Sequence, residues 1–356
     1  LESKLIDKTF WNNKKVFLTG HTGFKGSWLV LMLNHLGAKV AGYSHDIPTT
    51  PSMFELCNLS ELLEEDIRDD ILNLPKLQAA IERYSPDIVF HLAAQPLVRK
   101  SYSDPYETYS TNVMGTLNVL MSVLKCANLK TVVNITTDKC YENREWQKGY
   151  IEEDTLGGYD PYSSSKACAE ILTASIRRSF YHANNISLCT VRSGNVIGGG
   201  DWAEDRIIPD FMRSLVQNKV LHLRNPGAIR PWQHVMEPLC GYIMLAEKSF
   251  NNSEYSEAWN FGPDDKDCKT VLNVIQIVKE KFPAHPGIVA QSDTKQPHEA
   301  NFLKLDCSKA KKRLGWKPRL SIEEALQLTS EWYFAQFQKN DLRRITLSQI
   351  EGYLSK

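Results

Sequence analysis

The chain has 356 residues, of which 42% are hydrophobic and 24% charged, and its 42 Lys+Arg are balanced by 42 Asp+Glu. This composition suits a globular enzyme of two domains, or one large domain with an appendage; the neutral balance argues against nucleic-acid and anionic-membrane partners, and no apolar run reaches membrane-spanning length. The eight cysteines include no Cys-x-x-Cys pair, so the expectation is no metal site and free thiols in a reducing cytoplasm, with no signal region at Leu1-Glu2-Ser3-Lys4.

Val16-Phe17-Leu18 reads as a short buried strand, followed by glycines at 20, 23 and 26 and then the apolar run Ser27–Leu33. Strand, glycine turn and helix in this order give a glycine fingerprint its meaning. Gly20 permits the tight turn, Gly23 lets a diphosphate approach the backbone, and Gly26 lets the helix lie close to the strand. The helix N-terminus then offers free N–H groups to the phosphates.

Gly37 marks the end of this helix, and Lys39–Ser44 reads as a second strand. Asp46 follows Gly26 by about 20 residues, where an acidic side chain often takes the adenosine ribose hydroxyls. No arginine follows nearby for a 2′-phosphate, which favours NAD over NADP; the alternative is that Asp46 caps a turn before Pro48. A helix is expected over 75–84 with Pro75 in its first turn, then a buried strand over Asp87–Leu92 ending in Ala93-Ala94. Residues 106–126 have helical spacing, and Thr131–Ile135 is another apolar strand, ending in Thr136-Thr137-Asp138-Lys139. Polar groups at the carboxyl end of a buried parallel strand are where open α/β sheets place their chemistry.

Strands alternating with helices up to Val191 predict an α/β, doubly wound parallel sheet covered on both faces. Residues 1–190 form the cofactor domain, with a return segment near 235–260, and residues 191–356 form a smaller domain that closes over it. In that second part Val271, Val274, Ile275 and Val278 share a helical face, and Ser321-Ile322-Glu323-Glu324 opens a final long helix as a capping box.

The strongest chemical signal is Tyr162-Ser163-Ser164-Ser165-Lys166. Four residues apart on a helix, Tyr162 and Lys166 share a face. A tyrosine pKa of about 10 is too high for a base at neutral pH, so the lysine ammonium and an oxidised nicotinamide are expected to favour the phenolate.

Thr19-Gly20-x-x-Gly23-x-x-Gly26, Asp66-Ile67-Arg68-Asp69, His91-Leu92-Ala93-Ala94 and Tyr162-x-x-x-Lys166 together resemble the extended short-chain dehydrogenase/reductase family. Nucleotide-sugar epimerases and 4,6-dehydratases belong to that family, and the resemblance covers essentially the whole chain. It implies a Rossmann-type fold with a C-terminal substrate-binding domain, a cytoplasmic homodimer or homotetramer, and bound NAD. The cofactor contacts it implies are Gly20, Thr22, Gly23, Phe24, Lys25, Gly26, Ser44, Asp46, Asp66, Ile67, Leu92, Ala93 and Ala94, with Tyr162 and Lys166. Gly20–Trp28, Thr137-Asp138-Lys139-Cys140-Tyr141 and Gly194–Trp202 resemble the branch of the family that acts on CDP-D-glucose, and Arg230–Val235 and Gln296–Ala300 strengthen that resemblance.

The family chemistry assigns Tyr162 to the proton of the sugar 4-hydroxyl, Thr137 to a hydrogen bond at O4, and Asp138 to acid catalysis at O6. In relatives acting on dTDP-glucose the residue after the aspartate is a glutamate, assigned as the base at C5; here it is Lys139. A lysine base must be neutral, so its pKa of about 10.4 must fall by roughly three units. The alternatives are a charged Lys139 that stabilises the enolate, or a structural ion pair with Asp138. Asn195, Arg206, Arg230 and His298 are candidates for the nucleotide and its diphosphate, and Trp202 and Trp232 either wall the sugar site or fill the core. Two rival readings are a 4-epimerase on the same scaffold and a non-catalytic NAD-binding module. The Asp138-Lys139 pair speaks against the first, and the intact Tyr162 and Lys166 against the second.

Overall fold

The computed structural model describes residues 5–284, 286–290 and 303–356. Its centre is a seven-stranded sheet. In chain order the main elements begin with β1 (Lys15–Thr19), α1 (Phe24–His35), β2 (Lys39–Ser44), β3 (Glu65–Arg68), α2 (Leu74–Tyr84) and β4 (Ile88–His91). They continue with α3 (Thr116–Val123), β5 (Thr131–Ile135), α4 (Pro161–Ile176), β6 (Ser187–Ser193) and α5 (Ile207–Val216). The last are α6 (Met236–Ser249), β7 (Ala258–Phe261), α7 (Val271–Lys281), α8 (Ile322–Phe337) and α9 (Leu342–Leu354).

The strand order is β7-β6-β5-β4-β1-β2-β3, and every neighbouring pair is parallel. Both faces are covered, as the unbroken apolar runs predict. Alternation along each strand sorts side chains between two cores. Val16, Leu18, Val40, Phe90 and Val133 point to one side, and Phe17, Ala41, Tyr43, Val89 and Val132 to the other. The order reverses at β1, whose neighbours are β2 and β4, and an open parallel sheet binds its ligand at such a crevice.

The helix expected over 75–84 is found at Leu74–Tyr84, and the capping box at Ser321 and Glu324 is formed. After α6 the chain adds β7 to the sheet edge beside β6. The C-terminal helices do not stand apart: α9 packs on α1, and one core cluster contains Trp28, Trp259, Trp316, Trp332 and Tyr353. The eight cysteines are free thiols. Among the described residues no helix is long and apolar enough to cross a membrane, and no His, Cys, Asp and Glu cluster could hold a metal ion.

Two histidines are sealed inside this core. His91 sits between the hydroxyls of Thr19 (2.7 Å) and Thr116 (3.0 Å), and His234 accepts the Met236 N–H at Nδ1. Burial lowers both to about 3. Unfolded, each takes a proton near pH 6.5, so below that value the unfolded chain binds protons that the folded one refuses. Stability is therefore expected to fall as pH drops from 6.5 towards 3. Melting temperatures measured at pH 7 and pH 4.5 check this, and equal values would contradict it.

Candidate active site

The glycine turn between β1 and α1 is shaped by close backbone contact. Gly20 has φ +76°, and a Cβ there would lie 2.7 Å from the Ala93 nitrogen at the end of β4. A Cβ on Gly26 would lie 2.1 Å from the Gly20 carbonyl oxygen, whereas one on Gly23 would meet nothing closer than 3.5 Å. Gly20 and Gly26 thus allow the tight approach of turn, strand and helix, and Gly23 keeps the space above the turn open. Gly23 also caps α1 without a side-chain hydrogen bond, leaving first-turn N–H groups for an anion. This cradle fits the diphosphate of a dinucleotide.

Around it, Leu92 and Ala93 are hydrogen-bonded to Thr19, and Ala94 follows them at the carboxyl end of β4. The Thr22 hydroxyl donates to the Asp46 carbonyl (2.6 Å), and Asp46 Oδ1 accepts the Ile47 N–H (2.7 Å). Ile67 is half-buried in β3. Ser44 and Asp66 have a partner that spacing did not reveal, the buried His21. Its Nε2 lies 2.8 Å from Asp66 Oδ1 and its Nδ1 3.0 Å from the Ser44 hydroxyl. Arg68 also donates to Asp66 (2.8 Å). The His21 ring occupies the room that Gly42 leaves free, since a Cβ there would lie 2.4 Å from it.

Phe24 and Lys25 open α1. The Lys25 side chain reaches across the crevice, where its ammonium donates to the Ser193 hydroxyl at the end of β6 (2.8 Å). Burial lowers Lys25 to about 7, with the charges of Arg206 and Lys166 pushing the same way and Asp138 opposing them.

The catalytic candidates meet at the carboxyl ends of β5 and β6. Thr137 caps the turn Asp138–Cys140, accepting the Lys139 N–H (3.3 Å) and donating to Asp138 Oδ1 (3.1 Å). Gly194 makes room for this carboxyl group, because a Cβ at that position would lie 2.8 Å from Asp138 Oδ2. Burial raises the pKa of Asp138, against the pull of Lys139, Thr137, Arg230 and Lys25, which favours the protonated acid. Asp138 and Lys139 form no direct salt bridge, although the Lys139 charge is the strongest of those that pull on the Asp138 carboxyl. Lys139 is half-buried and uses its backbone, not its ammonium, to shape the turn.

Asp160 caps α4 by accepting the Ser163 N–H (2.9 Å), and Pro161 fills the first position. Tyr162 and Lys166 then face the β5 end one turn apart. The Lys166 ammonium donates to the Ile135 carbonyl (3.4 Å), and burial lowers it to about 8. Burial raises Tyr162 to about 12, opposed by a hydrogen bond with Thr137 and by the charge of Arg206. Thr137 and Arg206 thus join Lys166, one turn away on the same helix, as groups that favour the phenolate.

Arg206, which pairs with Asp201 (2.9 Å), precedes α5 and lies in the field of Tyr162 and Lys25. Arg230 lies in that of Asp138. The Asn195 carbonyl accepts the Gln233 N–H (3.1 Å) and ties Val196–Ile197 to Gln233–His234. Trp202 packs edge-on against Tyr333 (5.4 Å), with its buried indole N–H unpartnered. Trp232 is in the core and donates to the Lys269 carbonyl (2.9 Å). His298 lies outside the described residues. One further polar group has no sequence signal: Asn112, in the π-helical segment Ser110–Gly115, donates to Ser165 on α4 (2.9 Å) and to the Gln95 carbonyl (3.1 Å).

The family described as GDP-mannose 4,6 dehydratase matches residues 17–329. The chain belongs to this family. A CDP-glucose 4,6-dehydratase of Salmonella typhimurium is 50% identical to it over 357 residues, covering 99% of each chain. A dTDP-glucose 4,6-dehydratase of Haemophilus influenzae is 26% identical over 338 residues, covering 89% of this chain and 97% of the relative. Solved structures share the fold of this GDP-mannose 4,6 dehydratase family member. An epimerase of Methanothermobacter thermautotrophicus has a TM-score of 0.81 at 21% identity, covering 96% of this chain and 98% of that one. A UDP-glucuronic acid 4-epimerase of Bacillus cereus, in complex with UDP-glucuronic acid and NAD, has a TM-score of 0.77 at 23% identity, covering 91% and 99%.

Proposed function

We propose that the protein is a lyase that converts CDP-D-glucose into CDP-4-keto-6-deoxy-D-glucose and water. The observation that carries this reading over an epimerase is the buried Asp138, whose pKa burial raises, at the end of β5 and in the field of Tyr162. A 4-epimerase has no hydroxyl to expel and needs no such acid. The full-length likeness to the Salmonella typhimurium enzyme supports the CDP-sugar.

NAD, held by the turn at Gly20, Thr22, Gly23, Phe24 and Gly26 and by Lys166, supplies a hydride acceptor and donor when bound. Tyr162 takes the proton of the 4-hydroxyl, with Thr137 hydrogen-bonded at O4. The resulting 4-ketone acidifies the C5 hydrogen, which Lys139 removes. Asp138 gives its proton to the departing 6-hydroxyl, which leaves as water. Residues 1–190, with the return near 235–260, hold the cofactor. Residues 191–356 receive the nucleotide sugar, through Asn195, Arg206, Arg230 and His298, with Trp202 as a wall.

A cytoplasmic assembly of two or four copies and a place in deoxysugar and O-antigen biosynthesis go with this reading. Exposed Tyr106, Met114 and Ile171, 83%, 51% and 58% accessible, offer apolar surface for assembly. The test is kcat/KM for CDP-D-glucose against dTDP-D-glucose. A site that hydrogen-bonds the cytosine amino edge leaves polar groups unpaired with thymine, so CDP-D-glucose is expected to be strongly preferred. Equal values for the two sugars would contradict the proposal.

A further inference from the structure

Beneath the reacting groups lies a buried charge pair to which the proposed chemistry assigns no step. Glu170 on α4 and Arg192 on β6 are each 3% exposed and joined by two hydrogen bonds, Nε to Oε1 (3.0 Å) and Nη2 to Oε2 (2.8 Å). Every oxygen of the carboxylate is used. Thr136 donates to Oε1 and Thr190 to Oε2 (2.7 Å). Arg192 Nη1 donates to the Tyr141 hydroxyl (2.7 Å) and to the Glu152 carbonyl (3.0 Å), and Tyr141 donates in turn to Asn260 on β7 (2.9 Å).

Two facts about placement matter. Thr136 immediately precedes Thr137, and Tyr141 immediately follows the turn Asp138–Cys140, so both flanks of the catalytic turn are bound to one ion pair. Glu170 also lies four residues beyond Lys166 on the same helix, and therefore on the same face.

We infer that Glu170 and Arg192 are positioning residues: they clamp the Thr137-Asp138-Lys139 turn from both ends and set the charge around Lys166. The pair is costly to bury, and fixing a geometry is a role that such pairs can serve. Misplacing reacting groups by about 1 Å can cost about 10²-fold in rate, so a clamp on the turn matters for turnover.

Five ionisable groups face Lys166: Tyr162 and Glu170 on α4, Cys140 in the turn, His91 on β4 and Lys25 on α1. Burial keeps Cys140 a thiol and His91 neutral at working pH, so Glu170 is the fixed negative charge beside the ammonium. Arg192 and Arg177 flank Glu170 in turn.

The inference rests on the proposed reaction, and the two fail separately. Absence of wild-type turnover of CDP-D-glucose would sink the reaction, whereas the clamp is read from variants relative to wild type. Thr136→Val and Tyr141→Phe each remove one tie and leave the ion pair intact. Each is expected to lower kcat by about 10-fold with KM little changed. Wild-type kcat/KM is expected to fall as pH rises past about 8, where Lys166 loses its proton. Glu170→Gln removes the charge that supports the ammonium, so this alkaline limb moves to lower pH. Glu170→Asp keeps the charge and leaves the limb in place while kcat falls. A purely structural pair would lower the melting temperature of these variants but leave kcat per folded molecule and the alkaline limb unchanged; that result overturns the inference. If Glu170→Gln does not fold, the kcat values of Thr136→Val and Tyr141→Phe decide.

Discussion

Tyr162→Phe is expected to lower turnover of CDP-D-glucose by about 10²–10⁴-fold, the usual worth of a positioned general base. The substitution removes one oxygen and keeps the ring that fills the space between α4 and the end of β5. The hydroxyl is buried and hydrogen-bonded to Thr137, close enough to Arg206 and Asp138 to feel their charges. Lys166 lies one turn away on the same helix face. Cofactor content should be unchanged, because the glycine turn and Lys166 are untouched. The measurements are single-turnover kinetics on the variant, with the nucleotide released on denaturation assayed beside it. Turnover near the wild-type rate would remove Tyr162 from the mechanism.

The second large effect separates oxidation from elimination. Lys139→Met keeps a similar length but removes both base and charge, and the hydrogen bond by which Lys139 shapes the turn comes from its backbone N–H, which the substitution keeps. Tyr162 and Thr137 remain, so the 4-keto sugar should still form. Exchange of its C5 hydrogen with solvent deuterium should stop, and dehydration should fall by about 10²-fold or more. Asp138→Asn should behave differently. It leaves the C5 proton accessible to Lys139 but removes the acid that protonates the departing hydroxyl, so C5 exchange should outlast net loss of water. Mass spectrometry of sugar recovered from deuterated buffer reads both. Continued C5 exchange in Lys139→Met would leave Lys139 an electrostatic role only.

The parts of this site that a sequence can display are those written in local spacing. The strand, the glycines at 20, 23 and 26 and the helix behind them are contiguous in the chain, and the close backbone contacts at Gly20 and Gly26 are ones that only glycine permits. Tyr162 and Lys166 are one helical turn apart, and Thr137-Asp138-Lys139 is contiguous at a strand end. The capping box at Ser321 is likewise local.

What stayed hidden depends on which strands become neighbours. His21 reads as an unremarked residue inside the glycine turn until β2 and β3 bring Ser44 and Asp66 to its two nitrogens. Lys25 stands among the cofactor contacts that the resemblance implies, and its ammonium crosses to Ser193 at the end of β6. Glu170 shares the helical face of Tyr162 and Lys166, a visible signal, but its partner Arg192 lies on β6, which no spacing rule connects to it. Trp232 is buried, with its indole N–H bonded to the Lys269 carbonyl, a partner on a later strand that no local spacing announces.

The central claim is that one sugar molecule is oxidised at C4 and reduced at C6 while water leaves from C5 and C6. CDP-D-glucose carrying deuterium at C4 tests this most directly. The expected product is a 4-keto-6-deoxy sugar that has lost one water, keeps the label and carries it at C6. An unlabelled product, a label found in solvent, or a C4 epimer of unchanged mass would contradict it.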